Sequence, residues 1–252
     1  LHSQLLSIDI DANRYLTASD FAKDYALISV LKKYRGLRLG LNTKAEAVTA
    51  WKRAEENCRL TNELRPWRTS SCWVASAFRR AQQKISKILG SFCYSKVLPG
   101  CEWTTGATFL TRRGTTVDKK MTSSLSVTAS AWPFADAYIR TDLHWSASIL
   151  GCWPAGDFCF MRDVFDIVPG NKWTTVPKSA KTDRSICIEP SMNIFLQKGV
   201  GFFIRSRLKS VAGIDLDNQS INQSMARKAY FDSLCTIDLA SASDTISRGL
   251  IL

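Results

Sequence analysis

The chain has 252 residues, a formal net charge of +12, and a hydrophobic fraction of 45% with 22% charged residues. That balance excludes wholesale disorder and leaves room for one large core or two modest ones. No apolar run approaches the ~20 residues of a membrane-spanning helix, and residues 1–4 have neither the basic nor the apolar region of a signal peptide.

Residues 19–34 set Phe21, Tyr25, Ile28 and Leu31 on one helical face, which Gly36 and Gly40 end. Thr43 and Glu46 have capping-box spacing and open a helix that runs to about Leu64, ahead of Pro66. A third helix opens near Ser70 or Ser71, carries Arg79, Arg80, Lys84 and Lys87, and stops at Gly90. Those cations read first as a solvated face and second as an RNA-facing one. Between 101 and 127 Thr and Ser dominate, and 108–110 and 115–117 flank Arg112-Arg113-Gly114 as strands joined by a turn. Residues 131–150 read as helix with Pro133 near its start, and 151–170, with Pro154, Gly156, Pro169 and Gly170, as a loop-rich join. Eight scattered cysteines without a C-x-x-C pair, and only two histidines, argue against structural zinc and for reduced thiols.

The positive charge suits a phosphate polymer, whose neutralisation releases condensed counterions, although it fits a merely basic soluble protein equally. Its densest stretch is 171–209, where Lys172, Lys178, Lys181, Arg184, Lys198, Arg205, Arg207 and Lys209 face only Asp183 and Glu189. An extended arm of this kind can line a channel and meet a triphosphate, with Arg as a planar fork and Lys as a point charge. Residues 185–188 read as a strand. Residues 234–237 form a short apolar run with a β-branched pair, read as a buried strand that ends at Asp238. A carboxylate there is costly to desolvate unless it meets hydrogen bonds or a cation, so Asp238 is a candidate Mg²⁺ ligand. Taken alone, the Asp238 and Asp244 spacing is a weak signal, better explained by a capping Asp ahead of a helix at 241–250.

The order of several blocks carries more than any one of them. Thr175-Val176-Pro177-Lys178, Lys181-Thr182-Asp183-Arg184, Ile188-Glu189-Pro190, Gly213-Ile214-Asp215-Leu216, Ile221-Asn222-Gln223, and Asp238-Leu239 with Ala242-Ser243-Asp244 occur in sequence. In these the chain resembles the replicase β subunit of the leviviruses, the positive-strand RNA bacteriophages typified by phage Qβ. The resemblance is dense from about 171 to 247 and thin but collinear before that. It implies an RNA-directed RNA polymerase that transfers nucleotides from nucleoside triphosphates to an RNA 3′-hydroxyl by two-metal catalysis with Mg²⁺. Lys178, Lys181 and Arg184 would belong to the basic finger segment, motif F, on the nucleotide entry path. Asp238 matches the first metal-binding aspartate of motif A, Leu239 would offer a backbone carbonyl to the metal, and Asp244 matches the aspartate that senses the ribose 2′-hydroxyl. Glu189 is expected to shape the join between fingers and palm rather than to act as a base.

The fold class implied is α+β, a right-hand polymerase fragment. Residues 1–170 would be the N-terminal and fingers region with helices and hairpins, 171–232 the basic finger arm and finger-palm join, and 233–252 the start of the palm with an incomplete antiparallel sheet. No Gly-Asp-Asp occurs and both ends read as cut, so the chain alone is expected to be inactive. Implied partners are template RNA and, for the best-known relatives, host elongation factors Tu and Ts with ribosomal protein S1, in the cytoplasm of an infected bacterium. The second reading is a non-catalytic basic RNA-binding protein whose aspartates are structural.

Overall fold

Local capping chemistry sets the first helices. The structure, a computed structural model, describes residues 10–34, 36, 40–69, 71–150, 164–229, 231–235, 237, 239 and 241–251. Helix α1 (Ala18–Lys33) starts at Thr17, whose hydroxyl accepts the Asp20 N–H and so removes one orphan donor of the first turn. Helix α2 (Thr43–Leu64) has the expected span, but its cap is Asn42, one residue earlier than the capping box suggests; Asn42 Oδ1 accepts the Ala45 N–H at 3.1 Å. Arg65, left-handed at φ 45°, closes it. Helix α3 (Cys72–Leu89) runs between Ser71 and Gly90 as its punctuation requires. There follow α4 (Tyr94–Val97), a 3-10 turn at Leu98–Gly100, α5 (Val117–Thr122) and strand β1 (Leu125–Thr128). Helices α6 (Trp132–Thr141) and α7 (Leu143–Leu150) divide the expected 131–150 helix at Asp142. Strands β2 (Phe165–Val168), β3 (Lys172–Pro177) and β4 (Asp183–Ile188) precede the long helix α8 (Ser191–Ala212) and α9 (Ser220–Lys228). A 3-10 turn at Ser243–Thr245 and α10 (Arg248–Ile251) complete the described chain.

The chain is thus of mixed α and β structure, with differences in detail. Residues 108–110 and 115–117 are not strands. Thr108 bonds locally to Thr111, backbone N–H to carbonyl at 3.0 Å and hydroxyl to hydroxyl at 2.7 Å, while Val117 opens α5. Short Thr side chains that satisfy nearby groups compete with a ladder in this way. The turn between them is present, with Gly114 at φ 85°. The join at 151–170 contains β2, its residues 151–163 lying outside those described. The described residues of 234–237 form no strand: Leu234 and Ile237 are exposed, with no neighbour to complete a ladder. Among the described residues the sheets are two separate pairs, β1–β2 and β3–β4, and β1–β2 is parallel, in register from Leu125 opposite Phe165 to Thr128 opposite Val168. Among the described residues two helices lie between β1 and β2 in sequence, on the long crossover that a parallel pair needs.

The described residues fall into two compact units, one drawn from Leu1–Arg65, Trp173–Ile186 and Ser241–Leu252, the other from Pro66–Lys172 and Cys187–Ala240. In the second, Leu125, Val127, Ala135, Ile139, Met192 and Phe195 are buried around β1, and Trp103, Tyr138 and Trp145 crowd the Phe195 ring at centroid distances of 5.1, 4.8 and 5.8 Å. The start of α8 has no side-chain cap of its own; Ser126 of β1 supplies it, its hydroxyl accepting the Ser191 N–H at 2.9 Å. Asn193 clasps Thr128 twice, accepting its N–H at 3.0 Å and donating to its hydroxyl at 2.9 Å. Lys120, fully buried, ties down the irregular segment before α5: its ammonium donates to the Thr104 and Gly106 carbonyls, the latter at 2.7 Å, and burial lowers its pKa.

The middle of α8 approaches α4 too closely for any side chain at Gly199. A Cβ there would lie 2.5 Å from Cys101 Sγ and 2.7 Å from the Val97 carbonyl oxygen, whereas one at Gly201 would meet nothing within 4 Å. Gly199→Ala is expected to destabilise the protein by about 1–3 kcal/mol, as overpacking does, and Gly201→Ala to be neutral or mildly stabilising. Urea unfolding of the two variants checks this; equal midpoints would refute the close approach. The same contact leaves Cys101 buried, which pushes its thiol up to about 11. Its thiolate is therefore scarce near pH 8, and Cys101 should alkylate more slowly than the exposed Cys72, Cys187 and Cys235, as peptide mapping of the native protein would record.

Candidate functional site

In the first unit, α2 carries two of the segments singled out by the sequence. The β3–β4 hairpin lies along its N-terminal half. Trp173 packs on Trp51 with ring centroids 5.2 Å apart, and the Ser185 hydroxyl donates to the Ala47 carbonyl at 3.4 Å. The connection at 178–182 is held by its own groups: Ser179 Oγ accepts the N–H of Lys181 at 3.2 Å and of Thr182 at 3.3 Å, and the Ser179 N–H reaches the Thr182 carbonyl. Ala180 and Asp183 are buried beside it. This tight turn leaves Lys178 and Arg184 exposed and Lys181 half-buried. The cations are thus displayed from an ordered hairpin, which lowers the conformational cost of gripping a phosphate group.

The C-terminal half of α2 receives the segment that bears Asp244. The Cys58 thiol donates to the Asp244 carbonyl at 3.4 Å, and Asn62 Oδ1 accepts the Gly249 N–H at 2.7 Å. The expected helix at 241–250 is instead a 3-10 turn, which holds Asp244, and the short α10; the Asp244 carboxylate is exposed and accepts from the Ser243 hydroxyl at 3.4 Å. From Ala47 to Cys58 the helix rises ~16 Å at 1.5 Å per residue, so the hairpin and the Asp244 turn attach to α2 at separate points.

Asp238 lies outside the described residues, and Leu239 is 68% exposed. Among the described residues no three His, Cys, Asp or Glu side chains gather as a metal-binding group. The donors present, the Leu239 carbonyl and the exposed Asp244, do not by themselves make a magnesium site. Glu189, in the second unit, is held by amides: Oε1 accepts from Asn171 at 3.0 Å, Oε2 from Gln197 at 3.5 Å, and its carbonyl takes the Phe109 N–H at 2.9 Å. These bonds give it a positioning role. Asp215 and Asp217 pair with Lys209 at 2.8 Å and Arg205 at 2.7 Å, and the Lys209 hydrogen bond holds the Asp215 carboxyl below the usual range. The Trp51–Trp173 pair escapes a reading based on charge; the signal was a Trp immediately before the Thr-Thr-Val-Pro-Lys run.

What fold and site define is a class: a basic α+β chain that gathers a cationic hairpin and an aspartate-bearing turn on one helix. The chain belongs to the RNA replicase beta-chain family, whose profile matches residues 3–252. It is 36% identical over 245 residues to the RNA-directed RNA polymerase subunit beta of Enterobacteria phage SP, covering 92% of this chain and 39% of that protein. To the corresponding subunit of Escherichia virus Qbeta it is 34% identical over 244 residues, covering 93% of this chain and 38% of the relative. To the RNA-directed RNA polymerase beta chain of Escherichia phage MS2 it is 61% identical over 88 residues, 34% of this chain and 16% of the relative. The chain therefore spans about two fifths of the length of the first two relatives. No helix among the described residues is long and apolar enough to cross a membrane.

If Trp51 seats the hairpin, Trp51→Ala should cost about 1 kcal/mol, the scale of an aromatic pair, and speed amide exchange across residues 173–186. Exchange rates there equal to those of the parent chain would sink this role.

Proposed function

We propose that the full-length protein is an RNA-directed RNA polymerase that replicates a viral genome, joining the α-phosphorus of a nucleoside triphosphate to an RNA 3′-hydroxyl with release of pyrophosphate. The observation that carries this reading is the collinear likeness, over more than nine tenths of the chain, to proteins named RNA-directed RNA polymerase. The ordered basic hairpin supports it. Lys178, Lys181 and Arg184 meet the triphosphate, whose negative charge shifts towards pyrophosphate as the bond breaks, and fixed cations stabilise that shift. Asp238 and the Leu239 carbonyl are the contacts of this chain with Mg²⁺, two ions of which the reading requires. Asp244 senses the 2′-hydroxyl that separates ribonucleotides from deoxyribonucleotides.

In this reading the architecture is that of a right hand: residues 1–170 the N-terminal and fingers region, 171–232 the basic arm and finger-palm join, 233–252 the start of the palm. The 252-residue chain alone is inactive, because one aspartate of motif A is only part of a metal site. Template RNA and nucleoside triphosphates are the substrates; host elongation factors Tu and Ts and ribosomal protein S1 are the candidate partners, in the cytoplasm of the infected bacterium.

In the full-length protein Asp238→Ala is expected to lower RNA synthesis by about 10³-fold or more, the scale of losing a principal charge-stabilising group, with RNA affinity little changed. Asp244→Ala should keep synthesis measurable while narrowing the preference for ribonucleotides over deoxyribonucleotides. Substantial synthesis by Asp238→Ala would overturn the assignment of that residue, and a full-length wild-type protein that binds RNA without extending it would favour the non-catalytic alternative.

A further inference from the structure

The second unit carries a concentration of charge that neither the hairpin nor the motif A residues explain. Helix α3 holds Arg79, Arg80, Lys84 and Lys87 and not one acidic residue between Cys72 and Leu89. At 100° per residue, Trp73, Arg80, Lys84 and Lys87 fall within a narrow stripe, with Gln83 and Arg79 on its flank. Val74, Phe78, Ile85 and Leu89 fall on the other side. All four cations are exposed, and Trp73 is 74% exposed, so the stripe presents a large aromatic ring beside a row of positive charge. It is ~21 Å long from Trp73 to Lys87.

On the other long helices several cations are ion-paired. Lys23 of α1 pairs with Asp20, and Arg59 of α2 is gripped by Glu56 and Glu63. Helix α8, which like α3 has no acid of its own, has Lys198 paired with Glu102, Arg205 with Asp217 and Lys209 with Asp215. Among the described residues none of the four α3 cations makes an ion pair. A further cation is fixed at the helix end, where Arg207 Nε donates to the Ile88 carbonyl at 2.9 Å.

We propose that the exposed face of α3 is a docking surface for single-stranded RNA, separate from the motif F hairpin, with Arg80, Lys84 and Lys87 on successive phosphates and Trp73 stacking on a base. The ligand is RNA because phosphate neutralisation combined with a sequence-tolerant aromatic platform is how single strands are held. The choice of RNA rests on the replicase reading; the stripe itself does not. Its role is to hold template or product without reading sequence.

The test uses the full-length protein and a labelled single-stranded RNA, with affinity measured over a series of salt concentrations. Replacing Arg80, Lys84 and Lys87 together by Ala should reduce the slope of log K against log salt by about 2, near 0.7 for each lost phosphate contact on a single strand, and should do so equally for unrelated sequences. Trp73→Ala should weaken binding about tenfold while leaving the slope unchanged, as loss of stacking does. Lys84→Arg with Lys87→Arg, which keep the charge, should bind as the parent does and exclude a folding defect. An unchanged slope in the triple variant overturns the proposal. So does a triple variant that keeps its RNA affinity but loses binding to anionic phosphatidylglycerol vesicles, which would make α3 a membrane-surface helix. Nucleotide incorporation at saturating RNA should be retained by the triple variant. Failure of the wild-type protein to incorporate nucleotides would instead count against the polymerase reading and leave the salt-slope result standing.

Discussion

The clasp between β1 and the start of α8 is the constraint on which the second unit depends. A helix of 22 residues begins immediately after Pro190, with no side chain of its own to cap it. Its first N–H, that of Ser191, is met by Ser126 of β1, and the Asn193 side chain clasps Thr128 twice beside it. Ser126 and Ser191 are buried, where an unpaired N–H or hydroxyl would cost roughly 1–3 kcal/mol, so the start of α8 is pinned in both position and direction. The aromatic cluster on Phe195 and the close approach at Gly199 follow from that one placement, being one turn and two turns further along the same helix. Phe203 continues the buried side. The residues just upstream are fixed by the same unit, with the Glu189 carbonyl on the Phe109 N–H and its carboxylate on two amides. The block Ile188-Glu189-Pro190 is in this sense the root of the basic arm, and its carboxylate is consumed in holding that root.

Elements governed by local chemistry were legible in the sequence. Caps, glycines at positive φ and the Pro66 stop delimit α2 and α3, because each acts on groups within four residues of itself. The hairpin strands were half legible: residues 185–188 read as a strand, and the turn before them is a Ser179 side-chain turn that depends on local bonds only. What sequence reading missed were features decided by distant partners. Strand β2 lies in a stretch rich in Gly and Pro and exists because β1, some forty residues earlier, offers a parallel edge. The expected strands at 108–110 and 115–117 found no such edge, and the Thr side chains turned to their neighbours instead. Lys120 illustrates the same limit: a Lys in a basic chain reads as surface, yet here its ammonium replaces water with two backbone carbonyls.

The distribution of charge separates two kinds of cation that composition cannot distinguish. Lys198, Arg205 and Lys209 on α8 are paired across short distances with Glu102, Asp217 and Asp215 and serve to fix neighbouring loops. Such exposed pairs contribute little stability individually, so their worth is positional. Lys178 and Arg184 on the hairpin, and the four cations of α3, make no ion pair among the described residues. Like charges held close together raise the free energy of the folded chain, which is tolerable only because solvent and salt screen them. A polyanion that displaces that screening recovers the repulsion as binding free energy.

Unit one shows how the candidate site gains its order from a single scaffold. The hairpin meets α2 through Trp51 and Ala47, and the Asp244 turn meets it through Cys58 and Asn62. A rigid helix with 1.5 Å rise per residue keeps two such attachments at a constant separation without any direct contact between them. Among the described residues of 231–239, Phe231, Ile237 and Leu239 are exposed at 83%, 79% and 68%. Apolar side chains at that level of exposure are stable only in company, since burying each one fully is worth about 1.5–3 kcal/mol. The groups expected to meet the triphosphate and the ribose are both held by α2.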